Sequence, residues 1–102
     1  MERPGAVLSA SVRLPAGPTL EIFQYDHFEE RTVPAANQLG FAHIAFAVDD
    51  VETALALVVT EGGSALGETV AVQIPGAGTI TLVYATDPED NIIELQRWSN
   101  ST

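Results

Sequence analysis

Three ionisable side chains sit inside otherwise apolar stretches, and their types suit one another. Glu21 lies between Leu20 and Ile22, His43 between Ala42 and Ile44, and Glu94 between Ile93 and Leu95. Side chains alternate across a strand, so if the flanking residues pack on a core, these three point the other way. A buried carboxylate is costly unless it is paired, hydrogen-bonded or bound to a metal. Two carboxylates and an imidazole together form a donor set for a hard-to-borderline divalent cation. Each also has a plainer reading when taken singly. A strand glutamate is more often simply solvated, and a strand histidine is more often a hydrogen-bonded packing residue.

The elements that would position these residues follow from the hydrophobic pattern. Ala6 to Leu14 alternates as a half-buried strand, Pro15-Ala16-Gly17-Pro18 makes a turn, and Thr19 to Tyr25 forms the second arm of a hairpin. Residues 26–38 lose the alternation and read as a connector. Phe41 to Val48 is the next strand. Asp49 with Glu52 has capping-box spacing, and Val51, Ala54, Leu55 and Val58 then form a helical stripe that Gly62-Gly63 ends. Glu68 to Ile74, Thr79 to Ala85 and Ile92 to Trp98 are the remaining strands, with a tight Asp87–Asn91 turn before the last and a tail over 99–102. The order is a hairpin and then βαβββ. One helix on one side of a mixed sheet leaves the other face needing a partner or a ligand.

Composition narrows the function classes. At 102 residues and 46% hydrophobic content, the sequence fits one folded structural domain. Asp and Glu number 14 against 4 arginines and no lysine, for a net charge of -10. That field repels phosphate backbones and anionic lipids, so nucleic-acid and membrane partners are not expected. No apolar run approaches the roughly 20 residues of a membrane span, and the first residues lack a signal-peptide core, which makes a cytoplasmic location the default. The absence of cysteine rules out disulfides and thiol chemistry.

Two motifs carry a resemblance. Gly40-Phe41-Ala42-His43-Ile44-Ala45-Phe46-Ala47-Val48-Asp49-Asp50-Val51 looks like the opening strand and helix start of a module of the glyoxalase/bleomycin-resistance/extradiol dioxygenase (vicinal oxygen chelate) superfamily. Asp87-Pro88-Glu89-Asp90-Asn91-Ile92-Ile93-Glu94-Leu95 is similar to that module's closing "DPxGNxxEL" signature, with Asp90 in the place of the usual glycine. Upstream, Gly17-Pro18-Thr19-Leu20-Glu21-Ile22-Phe23-Gln24-Tyr25 resembles the end of a preceding module. The resemblance implies an α+β fold with a complete βαβββ module over 39–98, preceded by a partial first module over 1–38.

In that superfamily two modules form a cupped sheet, and the metal ligands come from the first and last strand of each module. Position by position, this makes Glu21, His43 and Glu94 the ligands of a divalent metal (Zn, Ni, Mn or Fe), with Glu94 and Glu21 as catalytic carboxylates. The fourth ligand has no counterpart, since the beginning of module one is missing, and His27 in the connector is a poor substitute. A homodimer whose copies complete one another is the expected repair, a truncated reading frame the alternative.

Two functions are then in view. One is a metal-dependent lyase or isomerase acting on a vicinal-oxygen substrate. The other is a non-catalytic small-molecule binder of the bleomycin-resistance type, suited by its acidity to a drug or other cationic ligand. A degenerate fragment without a ligand is a third outcome. Arg13, Phe23, Tyr25, Phe41 and Trp98 are the expected ligand-binding residues, Arg13 for an anionic group and the aromatics for stacking. The plainer reading for the aromatics is core or interface packing.

Overall fold

A computed structural model describes residues 6–13, 17–25, 29–30, 35, 37 and 39–99, with the side chains of 6–13 and of Gln24 left aside. Two compact units result, residues 1–32 and 33–102. In the first, β1 (Ala6–Arg13) and β2 (Thr19–Tyr25) form an antiparallel two-stranded sheet. Glu21 pairs with Ser11 across it, and the register slips between Ala6 and Leu8.

The second unit is α+β: β3 (Ile44–Ala47), α1 (Val51–Thr60), β4 (Ser64–Ile74), β5 (Gly78–Thr86) and β6 (Ile92–Ser99). The four strands make one mixed sheet in the order β3-β6-β5-β4. β3 runs parallel to β6, and the other two pairings are antiparallel. Strands β3 and β4 thus occupy opposite edges, and α1 bridges them across one face, packing on β4, β5 and β6.

The helical stripe explains that packing. Val51 is buried against Val83 and Leu95, and Ala54, Leu55 and Val58 close over the same cluster with Phe46, Val48 and Ile93. Alternation along β6 therefore turns Ile93 and Leu95 toward the helix, and Glu94, Gln96 and Trp98 away from it. The helix stops where glycines allow close approach. Gly62 adopts φ 104°, and a Cβ on Gly63 would meet the Thr86 carbonyl oxygen and lie 2.7 Å from Val58 Cγ1.

Several boundaries differ from the sequence expectation. The helix cap is Asp50, not Asp49: the Asp50 carboxylate accepts from Glu52 N at 3.0 Å and Thr53 N at 3.2 Å, which are the orphan donors of the first turn. Strand β3 starts at Ile44, so His43 and Phe41 precede it, since the ladder with β6 opens at the Ile44–Ile93 pair. Strand β4 begins at Ser64, four residues early, because a bulge between Leu66 and Val70 lets pairing with β5 resume beyond the irregularity. Ser99 extends β6 by pairing with Thr79, instead of opening a tail.

The Asp87–Asn91 turn is built as its composition suggests. The Asp87 carboxylate accepts from the backbone N–H of Glu89 and Asn91 and from the Asn91 side-chain amide, at 2.8–2.9 Å. Asp90 takes the left-handed conformation, φ 66°, which a glycine would adopt without steric cost.

Candidate functional site

The helix-free face of the second unit's sheet centres on Glu94. Its carboxylate is as buried as the apolar core, at 7% exposure, yet it stands on the opposite side of β6 from Leu95. Burial of a charge is tolerated here because both carboxylate oxygens are used. His43 Nε2 lies 3.1 Å from Glu94 Oε1, and the Gln96 side-chain amide donates to Glu94 Oε2 at 2.7 Å. Trp98 Nε1 donates in turn to Gln96 Oε1 at 2.8 Å. Glu94, Gln96 and Trp98 are alternate residues of one strand, and the pleat sets them in line on one face.

Strand β5 supplies the next wall. Tyr84 is directly opposite Glu94 in the β5–β6 register, and its ring meets the His43 imidazole edge-on, with centroids 5.2 Å apart and planes at 87°. The Glu94 charge, foremost, pushes the Tyr84 phenol above its ordinary pKa, with burial and hydrogen bonding to that carboxylate adding in the same direction. Beyond Tyr84, the same face continues onto β4 with Leu66, Val70 and Val72, each close to half exposed. A polar centre thus adjoins an apolar flank.

The residues expected to act together belong to both units. His43 and Glu94 lie 3.1 Å apart, with His43 reaching the carboxylate from the residue before β3. Glu21 is exposed on β2 in the other unit, where Phe23 and Tyr25 also lie with ring centroids 6.5 Å apart. Phe41 is fully exposed ahead of β3. Trp98 is on the Glu94 face, bonded through Gln96. The Arg13 side chain and His27 lie outside the described residues.

Sequence reasoning did not single out Gln96 or Tyr84. Gln96 was detectable as the next residue on the Glu94 face, two positions on. Tyr84 required the β5–β6 register, which no local pattern supplies.

The donor chemistry bears on the expected metal. Among the described residues, no three His, Cys, Asp or Glu side chains gather as a cation site. His43 and Glu94 are a pair, one short of the three protein ligands usual in an open catalytic site. A hollow of about 380 Å³ opens beside the start of α1, lined by Asp49, Asp50, Val51, Glu52, Thr69, Thr81 and Arg97. It is on the helix-bearing side, away from Glu94, and Asp50 is already engaged as the helix cap.

Comparison with solved structures defines the fold as that of the glyoxalase family. A glyoxalase family protein from Bacillus cereus superposes with a TM-score of 0.70 at 21% identity, over 88% of this chain and 60% of that one. A glyoxalase family protein from Enterococcus faecalis matches with a TM-score of 0.59 at 21% identity, over 90% of this chain and 76% of that one. The chain therefore spans three-fifths of the length of the B. cereus protein. No family model and no curated protein matches it. Among the described residues, no helix is long and apolar enough to cross a membrane.

Proposed function

We propose that this is a glyoxalase-like small-molecule-binding protein whose ligand lies on the helix-free face, against Glu94 and His43. One observation carries the reading: a carboxylate at 7% exposure, held by side-chain donors on both oxygens and bordered by wet apolar residues. A group so costly to bury is retained where it does work. Glu94 offers acceptors only while ionised, so it suits a ligand that presents hydroxyl or ammonium donors. Leu66, Val70 and Val72 suit the ligand's apolar body.

Catechol tests this, as two adjacent hydroxyls on a flat ring. Titrated into the labelled protein and followed by NMR, it should shift resonances of His43, Tyr84 and Trp98. Glu94→Ala should weaken binding more than about tenfold, the value of a hydrogen bond to a charged group. Binding that ignores this substitution would sink the reading.

A metal-dependent lyase or isomerase is the second reading, favoured by the meeting of His43 and Glu94 at 3.1 Å. A Zn, Ni, Mn or Fe ion there would act as a Lewis acid on vicinal oxygens. It would need a third donor from outside the pair, from Glu21 or from a second copy in a homodimer. Metal analysis of protein purified without chelators, compared with His43→Ala and Glu94→Ala, decides it. Metal lost in both variants supports the enzyme, and no metal under metal-replete conditions leaves the binding role.

A further inference from the structure

From the directions of the hydrogen bonds, we infer that Gln96 and Trp98 are positioning residues that clamp Glu94 as a fixed acceptor facing His43. An indole nitrogen can only donate, so Trp98 Nε1 requires the oxygen of the Gln96 amide at its end of the chain. That fixes which way the amide points. Its nitrogen must then face Glu94, and it does so at 2.7 Å, the shortest contact of the series. A glutamine alone could present either end to a neighbour. Here the indole removes that choice, and the carboxylate meets a donor and never a repelling oxygen.

The consequence reaches His43. With Oε2 tied to Gln96, a swing of the Glu94 carboxylate about its last torsion would break that hydrogen bond, and Oε1 is held at 3.1 Å from His43 Nε2. While Glu94 is a carboxylate, the imidazole nitrogen facing it, Nε2, is one that carries a proton. The whole line runs one way, from Trp98 through Gln96 to Glu94, with His43 donating from the other end. Trp98 is close to half exposed and Gln96 partly so, which is more access than a packing role needs. Coupled chains of this kind are sensitive to the loss of any one member.

The inference rests on the binding reading for its purpose, while its test needs no ligand. Trp98 is the single tryptophan, so its indole N–H gives one unambiguous NMR signal. Trp98→Phe keeps an aromatic ring and removes only the donor. The His43 imidazole nitrogens, which Trp98 does not touch, should then shift toward a mixture of tautomers, and Gln96→Met should have the same effect. In the other direction, Glu94→Gln changes the far end of the chain, and the indole N–H should exchange with solvent about fivefold faster. His43 signals that are unchanged in both Trp98→Phe and Gln96→Met would overturn the inference. Wild-type protein that ignores catechol but shows this coupling would overturn the binding reading and uphold the clamp.

Discussion

The two faces of the four-stranded sheet bury their residues by different means. On the helix side, Val83 and Leu95 are covered by apolar neighbours from α1, and nothing polar is enclosed with them. On the open side the best-covered residue of β6 is a carboxylate, while the aliphatic Leu66, Val70 and Val72 remain close to half exposed. The helix face encloses only carbon, whereas the open face encloses a charge, with Ile80 on β5 buried to a similar degree at 8% exposure. Glu94 is what sets the open face apart, as the one buried charge among the described residues.

The sharpest way to break the comparison is to delete equal kinds of atoms from each face. Leu95→Ala should cost about 3 kcal/mol in denaturant unfolding, since it empties a site at 4% exposure under the helix. Val72→Ala on the open face should cost less than about 1 kcal/mol, because that side chain already touches water. A loss at Val72 as large as at Leu95 would mean that the open face is covered in solution, as by a second copy, and the contrast would fail. Next in size, Gly63→Ala should cost about 2 kcal/mol, as its methyl would run into the Thr86 carbonyl and Val58 and lift the end of α1 off β5. An unchanged unfolding midpoint would show that this junction yields, and that the helix face is less tightly built than its burial indicates.

The helix face was the more legible of the two from sequence. Val51, Ala54, Leu55 and Val58 announce their stripe at a period that needs no tertiary knowledge, and they are the residues found over the core. The Asp87–Asn91 turn was equally local: its carboxylate bonds lie within four residues, and Asp90 occupies the left-handed position expected of a glycine substitute. His43 and Glu94 were visible as polar interruptions, but their meeting depends on β3 pairing parallel with β6, a contact of high sequence separation. Tyr84 joins them only through the β5–β6 register, and Gln96 only through the direction its amide points. The cap was misplaced by one residue because Asp49 and Asp50 are chemically identical, and only the backbone conformation decides between them.

The smallest expected effect is the most specific to the open face. Tyr84 should ionise above the ordinary phenol value of about 10, because the negative charge of Glu94 disfavours a second negative charge beside it. The folded state therefore holds the phenol proton more tightly than the unfolded chain does. Its contribution to stability is fully present below about pH 10 and is lost as pH rises through the folded-state value. Ultraviolet difference absorbance across the alkaline range resolves this, with Tyr84→Phe assigning the curve among the two tyrosines. Glu94→Gln removes the largest cause and keeps the shape, so the Tyr84 curve should move to lower pH, toward the ordinary value. Identical Tyr84 curves in wild type and Glu94→Gln would place the carboxylate's charge elsewhere, and the open face would lose the feature that distinguishes it from the helix side.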